Sequence, residues 1–236
     1  MKLLEVKNLV KRYNNKAVVN GLSFYVDPGE VVGLLGPNGA GKTTAFYMTV
    51  GLIQPDEGDV YFKDQNVTSL PIHKRAQLGF GYLAQEPSIF RSLSVEDNIR
   101  CILETIPKPA FTLDQLLQEL HLTQLRTKKA TSLSGGERRR LEITRALATQ
   151  PSLLLLDEPF ANIDPLAVAD VKYLIRILKR KQISVLITDH NAREIFSIVD
   201  RSYLVQEGRV VLSGTTDALV NDPHARRTYF GEDFKL

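Results

Sequence analysis

The fold is decided by the stretch Val31-Val32-Gly33-Leu34-Leu35-Gly36-Pro37-Asn38-Gly39-Ala40-Gly41-Lys42-Thr43. Its first part, Val31–Leu35, is apolar throughout, which is typical of a central parallel strand that is covered on both faces. Its second part, Gly36–Thr43, matches the pattern G-x-x-x-x-G-K-[ST], whose glycines let successive backbone N–H groups point into one anion-binding nest. A helix beginning at about Lys42 adds its positive N-terminal end. The stretch therefore predicts a phosphate-binding loop between a strand and a helix.

This phosphate loop (Gly36–Thr43) offers specific partners for a nucleoside triphosphate. Lys42 is a point charge for the β- and γ-phosphates, and the Thr43 hydroxyl is a ligand for Mg²⁺, which is bound largely through phosphate oxygens and water. A glycine-rich turn without a ligand is the alternative, but the strand before the loop and the helical run after it favour nucleotide binding. The residues predicted to contact the nucleotide here are Gly36, Pro37, Asn38, Gly39, Ala40, Gly41, Lys42, Thr43 and Thr44.

A second buried strand, Leu153–Leu156, is followed by two acids, Asp157 and Glu158. Ligands of open α/β sheets bind at the carboxyl ends of the strands, so we expect both acids beside the phosphates. Asp157 is then suited to the Mg²⁺ shell and Glu158 to orienting and polarising the attacking water, because phosphoryl transfer depends mostly on positioning and charge stabilisation. Solvated charges at the end of a strand are the alternative.

The fold class predicted by these strands is α/β, with a parallel-sheet core. A third buried strand, Ser184–Thr188, follows the second after a helical stripe, and strand, helix, strand implies a right-handed parallel crossover. Alternating apolar residues between Leu3 and Val26 predict short strands, which form an antiparallel N-terminal subdomain. Residues 202–212 are expected to form a hairpin.

We expect a single domain over residues 1–236. The region at about 88–150 is mostly helical in pattern and predicts a helical subdomain inserted in the sheet. A C-terminal tail covers about 222–236, and its two neighbouring aromatics, Tyr229 and Phe230, indicate docking onto the fold rather than a frayed end.

The composition, 43 % hydrophobic and 24 % charged residues, is that of an ordinary globular protein. The net charge of +3 is mild and the basic residues are dispersed apart from short runs, so no nucleic-acid partner is predicted. The single cysteine excludes an intrachain disulfide and favours a reducing compartment. No apolar run approaches the ~20 residues of a membrane-spanning helix, and the first residues show no signal-peptide pattern. A membrane role would therefore require a partner that spans the bilayer.

A further motif, Leu133-Ser134-Gly135-Gly136-Glu137, lies between the phosphate loop and the acidic strand. Ser134 can donate its hydroxyl to a phosphate, the two glycines let backbone N–H groups approach closely, and a helix beginning near Glu137 adds a positive end. A glycine-containing turn before a helix is the alternative. With this signature motif (Leu133–Glu137), essentially the whole chain resembles the ATP-binding cassette family. The resemblance implies ATP hydrolysis by a homodimer, in which the signature motif of one subunit closes over the ATP of the other.

Other family positions are present in the expected order. The resemblance implies that Tyr13 stacks on adenine, that Gln85 reaches Mg²⁺ and the γ-phosphate, and that His190 contacts the γ-phosphate beside the catalytic Glu158. Asn162-Ile163-Asp164 lies where the family's dimer-contacting D-loop is found, with Asn162 and Ile163 in place of the usual small residue and leucine. Each residue would be uninformative alone, and their order around three specific motifs supports the assignments.

Within the family, the chain resembles the ATPases of bacterial lipopolysaccharide export transporters. The segments that carry this similarity are Ser88–Val95, Leu133–Arg140, Leu186–Asn191 and Tyr229–Leu236. The similarity implies two integral membrane partner subunits and a peripheral position on the cytoplasmic face of an inner membrane. The alternative within the family is the ATPase of a branched-chain amino-acid importer.

Two other classes of cassette protein fit less well. Cassettes that act on DNA insert a long coiled coil before the signature motif, and those that act on ribosomes carry two cassettes in one chain; this chain has neither feature. A non-hydrolysing cassette would be expected to lack Lys42, Glu158 or His190, and all three are present here.

For a transporter subunit, Phe90 and Arg91 are candidates to contact the membrane subunits, as an exposed apolar anchor and a cap for a partner helix. Packing of Phe90 inside the helical subdomain is the alternative.

Overall fold

A computed structural model describes residues 1–86, 88–161, 165–231 and 234 of the chain. Its strands are β1 (Leu4–Tyr13), β2 (Lys16–Val26), β3 (Val31–Leu35), β4 (Glu57–Phe62), β5 (Gln65–Asn66), β6 (Phe80–Leu83), β7 (Leu153–Asp157), β8 (Ser184–Thr188), β9 (Arg201–Gln206) and β10 (Arg209–Gly214). Its helices are α1 (Lys42–Val50), α2 (Ile72–Leu78), α3 (Val95–Leu103), α4 (Leu113–Glu119), α5 (Gly135–Ala148), α6 (Pro165–Arg180), α7 (Ala192–Phe196), α8 (Thr216–Val220) and α9 (Pro223–Ala225). A π-helical turn, Arg226–Phe230, follows α9.

The strand order confirms the predicted α/β class. A six-stranded sheet has the order β10-β9-β3-β8-β7-β6, in which neighbours are parallel except for the hairpin of β9 and β10. A four-stranded sheet of order β2-β1-β4-β5 is antiparallel. The carboxyl ends of β3, β6, β7 and β8 therefore share one edge, where a ligand of a parallel sheet binds.

Hydrophobic cores cover both faces of the larger sheet. Successive side chains of a strand point to opposite faces, so Val31 and Leu35 of β3 join the core shared with α3, α4 and α5, while Val32 and Leu34 join the core shared with α1 and the antiparallel sheet. Burial on both faces explains why the central strands are apolar runs rather than alternating patterns.

The helices between β6 and β7 form a layer that we call the helical segment (residues 88–150). Its helices α3, α4 and α5 contact one another. Each begins at a side-chain cap, because the hydroxyl of Ser94, Thr112 or Ser134 accepts a hydrogen bond from the backbone N–H three residues later. The helical segment thus presents the signature motif at the capped start of α5.

Two expectations about local structure need correction. The N-terminal strands, predicted to be short, are ten and eleven residues long, because register shifts in the β1–β2 pairing let the strands bend without ending. The helix after the signature motif begins at Gly135 rather than near Glu137, because Ser134 is itself the N-cap residue.

The C-terminal tail docks on α7, as its aromatic residues predicted. The rings of Phe230 and Phe234 lie 5.4 and 6.3 Å from the ring of Phe196, and the Arg193 guanidinium lies 5.7 Å from the Phe234 ring. The tail residues Glu232, Asp233, Lys235 and Leu236 lie outside the described residues. Within the described parts of the chain, no helix is long and apolar enough to cross a membrane.

Candidate active site

The phosphate loop runs from the end of β3 to the start of α1 and passes close to the backbones of β9 and β2. Gly36 and Gly41 have φ values of 155° and 95°. A β-carbon at Gly36 would lie 2.2 Å from the carbonyl oxygen of Val205, and one at Gly41 would lie 2.5 Å from that of Val18. No side chain fits at either position, so these glycines allow the close passage that forms the loop.

Lys42 is enclosed by the loop that it serves. Its Nζ donates hydrogen bonds to the carbonyl oxygens of Gly36 at 2.7 Å and Pro37 at 2.9 Å. Only 5 % of the residue is exposed. Burial lowers the pKa of its ammonium group, while the carboxylates of Glu158 and Asp189 act in the opposite direction. A desolvated cation in this position favours a polyphosphate, which replaces neutral carbonyl contacts by charged ones.

The other members of the phosphate loop surround its opening. Those that are exposed are Pro37, Asn38, Gly39 and Thr43, whereas Thr44 is partly buried and Ala40 is buried. The N–H groups at the start of α1 and the Thr43 hydroxyl are therefore accessible to an entering anion.

Asp157, the last residue of β7, is buried at the shared edge of the sheet. Its Oδ1 accepts a hydrogen bond from the Thr188 hydroxyl at 2.9 Å. Burial raises the pKa of the Asp157 carboxyl, and the negative charge of Asp189 acts in the same direction, while hydrogen bonds from Thr188 and Tyr47 lower it. A buried acid with a second acid nearby favours a cation between them and the phosphates.

The structure brings three predicted residues, Gln85, Glu158 and His190, together at the ends of neighbouring strands. The Glu158 carboxylate accepts a hydrogen bond from the Gln85 Nε2 at 3.2 Å and lies 3.7 Å from the His190 Nδ1. The Glu158 backbone is in the left-handed region with φ of 43°, which is uncommon for a residue with a side chain. Its N–H donates to the Thr188 carbonyl at 2.8 Å, which holds that conformation.

Asp189 is a site residue that the sequence analysis missed. It is fully buried, and its Oδ1 accepts the N–H groups of His190 at 2.8 Å and Asn191 at 2.9 Å, while its Oδ2 accepts the N–H of Phe160 at 3.0 Å. This one carboxylate ties the turn after β8 to the turn after β7. The position between Thr188 and His190 was the available signal, but a buried acid with backbone partners produces no periodic pattern.

In the signature motif, Ser134 and Glu137 are hydrogen-bonded to each other, and the space beside Gly135 is open. The Ser134 hydroxyl accepts the Glu137 N–H at 3.2 Å, and the Glu137 carboxylate accepts the Ser134 N–H at 2.7 Å, which is a capping box. The latter bond holds the pKa of Glu137 below its ordinary value. A β-carbon at Gly135 would meet nothing within 4 Å, whereas one at Gly136 would lie 2.4 Å from an Asp170 oxygen. Among the described residues, no hydrogen bond joins the signature motif to the phosphate loop.

Tyr13 lies on the antiparallel sheet. It is the last residue of β1, is 45 % exposed, and has the Lys11 ammonium 5.8 Å from its ring centre. Its ring is therefore accessible for stacking. The predicted D-loop residues, Asn162-Ile163-Asp164, lie outside the described part of the chain.

A groove separates the helical segment from the ends of β6 and β7. It has a volume of about 490 Å³, and its lining includes Gln85 and Glu158 after the strand ends, Arg138 and Glu142 of α5, and Val171 of α6. The groove therefore reaches from the surface to the carboxylate that lies beside His190.

Phe90 and Arg91 are exposed at the start of the helical segment. The Phe90 side chain is 47 % exposed, and the Arg145 guanidinium lies 4.8 Å from its ring centre. Arg145 also donates to the Ser88 carbonyl at 2.5 Å, so α5 supports the loop that carries Phe90. This exposure favours an anchor for another chain over packing in the core.

The donor groups of the site fit a hard cation bound mainly by a nucleotide. In the described residues, no group of three or more His, Cys, Asp and Glu side chains gathers as a protein cage for a metal. Oxygen donors are instead offered singly by the Thr43 hydroxyl, the Asp157 carboxylate and the Gln85 amide. Mg²⁺ usually keeps water and phosphate oxygens in its shell and takes only one or two protein ligands, which matches this set.

The fold and the site define a nucleotide-binding ATPase of the phosphate-loop class. The family model described as ABC transporter matches residues 19–161, which is more than half of the chain. The chain belongs to the ABC transporter family, as an ATP-binding cassette.

Full-length relatives share about half of the sequence. The lipopolysaccharide export system ATP-binding protein LptB of Acidithiobacillus ferridurans is 51 % identical over 238 residues and 99 % of each chain is covered. The protein of the same description from Escherichia coli strain K12 is 47 % identical over 241 residues, with 100 % of each chain covered.

Solved structures agree with this assignment. An ATP-binding cassette of an ABC transporter in its ADP conformation has a TM-score of 0.88 and 29 % identity, and 98 % of this chain and 100 % of that chain are covered. A nucleotide-free cassette from an ABC transporter has a TM-score of 0.86 and 28 % identity, with the same coverage. The predicted fold and the predicted ATP-hydrolysing activity are confirmed.

Proposed function

We propose that this ATPase drives the export of lipopolysaccharide from an inner membrane through membrane-spanning partner subunits. The observation that carries the proposal is full-length identity of 51 % and 47 % with lipopolysaccharide export ATP-binding proteins from two organisms. The branched-chain amino-acid importer is not favoured, because these relatives carry the export description.

The roles proposed for the site residues are those that the motifs and the family resemblance imply, and the geometry supports them. In hydrolysis, a water oxygen bonds to the γ-phosphorus as the bond to the β,γ-bridging oxygen breaks, which yields ADP, phosphate and a proton. Lys42 stabilises the charge on the β- and γ-phosphates. Glu158 orients and polarises the water, and His190, 3.7 Å from its carboxylate, contacts the γ-phosphate. Gln85 is hydrogen-bonded to the same carboxylate, reaches Mg²⁺ and the γ-phosphate, and senses the membrane partner.

Thr43, Asp157 and Gln85 would hold Mg²⁺ on the nucleotide. The bound ion supplies neutralisation of the phosphate charge that develops during transfer. The buried Asp157 is suited to this role, since its carboxylate is desolvated and its neighbours at the sheet edge include a second acid.

The proposed active form is a homodimer with two composite ATP sites. Ser134, Gly135 and Gly136 of one subunit close over the ATP in the phosphate loop of the other, and Tyr13 stacks on its adenine. The open face at Gly135 supports this arrangement, because a β-carbon there would meet nothing within 4 Å and an anion could approach the start of α5.

Two integral membrane subunits are proposed to contact the chain near Phe90 and Arg91, which would hold it on the cytoplasmic face of the membrane. An exposed aromatic beside an arginine is typical of interface hot spots. Within one domain of residues 1–236, the inserted helical subdomain (about 88–150) would receive the partner and the tail (about 222–236) would stabilise the nucleotide loops.

Co-purification tests the transport proposal. A tagged chain is expressed in a host that makes lipopolysaccharide, extracted in detergent, and its partners are identified. We expect two integral membrane subunits, and lipopolysaccharide accumulating at the inner membrane when the chain is depleted. Ribosomes or DNA in place of membrane proteins, or an amino-acid uptake defect without an export defect, would contradict the proposal.

A further inference from the structure

The C-terminal tail reaches the nucleotide loops through Tyr229. Its hydroxyl donates to the carbonyl oxygen of His190 at 3.5 Å, and the backbone N–H of Gly36 is near enough to its oxygen to oppose the rise of its pKa. His190 follows β8 and Gly36 follows β3, and these strands are parallel neighbours. One hydroxyl therefore contacts both loops that meet the terminal phosphates.

The contact to Gly36 continues into the phosphate loop. The carbonyl oxygen of Gly36 accepts a hydrogen bond from Lys42 at 2.7 Å, while its N–H is the group that meets Tyr229. A β-carbon at Gly36 would lie 2.2 Å from the Val205 carbonyl oxygen, so the backbone here is tightly confined. A shift of Tyr229 would therefore displace Gly36, the first residue of the phosphate loop.

Aromatic contacts hold the Tyr229 side chain in place. The Tyr229 ring lies 5.0 Å from that of Phe230, which packs edge-on against Phe196 of α7 at 5.4 Å. The Asn191 side chain caps the start of α7 directly after His190. Burial raises the pKa of Tyr229 to about 12, so its hydroxyl keeps the proton that it donates to His190.

We propose that Tyr229 is a positioning residue for ATP hydrolysis, whose hydroxyl holds the His190 turn in register with the start of the phosphate loop. It acts on His190 and Gly36 through their backbones. The inference rests on ATP hydrolysis at the site described above.

Tyr229→Phe is the informative variant, because it removes the hydroxyl and keeps the ring. We expect kcat to fall about fivefold, the rate equivalent of one net neutral hydrogen bond. The KM for ATP should change less than about twofold, since Lys42 still bonds the carbonyls of Gly36 and Pro37. Tyr173→Phe is the matched control. Tyr173 lies on α6 and is 43 % exposed, so this variant should hydrolyse ATP like the wild type.

A double-mutant cycle distinguishes positioning from general packing. Single-turnover hydrolysis by the full chain is measured for wild type, Tyr229→Phe, His190→Ala and the double variant. If the hydroxyl acts through His190, its removal has little further effect on the residual rate of His190→Ala. Thermal unfolding of each variant is measured alongside, and Tyr229→Phe should melt within about 2 °C of wild type.

The outcomes separate two failures. Absence of ATP turnover by the wild-type chain would count against the proposed hydrolytic site itself. A wild-type rate for Tyr229→Phe, or an equal fall in both His190 backgrounds, would leave hydrolysis intact and refute the positioning role.

Discussion

The phosphate loop at the start of α1 and the signature motif at the start of α5 use the same means to bind an anion, but differ in what surrounds them. Both combine glycine backbone with the positive end of a helix. The phosphate loop is enclosed: Lys42 is 5 % exposed and no side chain fits at Gly36 or Gly41. In the signature motif, Ser134 is bonded to the first turn of its own helix and Gly135 borders open space.

This difference indicates which half of an ATP site each region forms. The enclosed loop can hold a polyphosphate by itself, because its cation is already desolvated and aimed by two carbonyls. An anion at the open motif would remain solvated and gain little. The motif becomes effective when a second chain brings a nucleotide to it, which is the physical basis of the proposed dimer.

Lys42→Ala tests the enclosed half and should have the largest effect. The phosphate loop loses its cation, and the carbonyls of Gly36 and Pro37 lose their donor. We expect steady-state turnover to fall by roughly a thousandfold, as for other cationic contacts to a transferred phosphoryl group. The exposed Lys74 on α2 provides the control, since Lys74→Ala should hydrolyse normally. Near wild-type turnover by Lys42→Ala would exclude this loop as the phosphate site.

Glu158→Gln separates binding from hydrolysis within the enclosed half. The amide keeps the size of the side chain but cannot serve as a carboxylate toward water, so hydrolysis should fall by about 10²-fold. Equilibrium binding of a fluorescent ATP analogue should be retained. Glu104→Gln, at an exposed helix end, is the control for removal of a carboxylate. Rapid hydrolysis by Glu158→Gln would require a different catalytic group.

Phe90→Ala tests whether the helical segment has a second surface that binds another chain. The ring is 47 % exposed, so its removal should lower the melting temperature of the isolated subunit by less than about 2 °C. Affinity for the membrane subunits should fall about thirtyfold, which corresponds to a hot-spot loss of about 2 kcal/mol. Leu52→Ala, at an equally exposed apolar residue, should assemble normally. A clearly destabilised Phe90→Ala subunit that still assembles would assign the ring to packing instead.

Gly135→Ala tests the signature motif, the open half of the site, and its expected effect is the smallest of these variants. An alanine β-carbon meets nothing within 4 Å in the single chain, so folding and the melting temperature should be unaffected or slightly improved. In the dimer, the methyl group would meet the partner's nucleotide, and turnover should fall roughly tenfold through misplacement of the phosphates. Ser132→Ala, just before the motif, should have normal turnover. Unchanged turnover in Gly135→Ala would mean that nothing closes on this face.

The enclosed parts of the molecule were predictable from the sequence because local pattern and tertiary role coincide there. An apolar run of five residues bounded by turn residues favours a strand covered on both faces, and G-x-x-x-x-G-K-[ST] after such a run favours a phosphate-binding nest. The placement of Asp157 and Glu158 followed from the rule that ligands bind at the carboxyl ends of parallel strands, whereas Gln85 and His190 were implied by the family resemblance.

The residues that were not predicted act through contacts distant in sequence. Asp189 is buried and bonds the backbone of Phe160. Arg75 is also fully buried, donates to the carbonyls of Met48 and Thr49 at the end of α1, and has its pKa lowered by burial to about 10. Neither forms a periodic pattern, so only the tertiary structure reveals that Asp189 joins the turns after β7 and β8 and that Arg75 holds the end of α1.

The dimer is tested most directly by the mass of Glu158→Gln in solution. Light scattering during size-exclusion chromatography should give twice the 26.5 kDa of one chain with Mg-ATP, and a single chain with ADP or without nucleotide. Adding Gly135→Ala to the same variant should weaken the ATP-dependent dimer. A single-chain mass with saturating Mg-ATP at high protein concentration, under conditions where ATP binding is verified, would contradict the composite site.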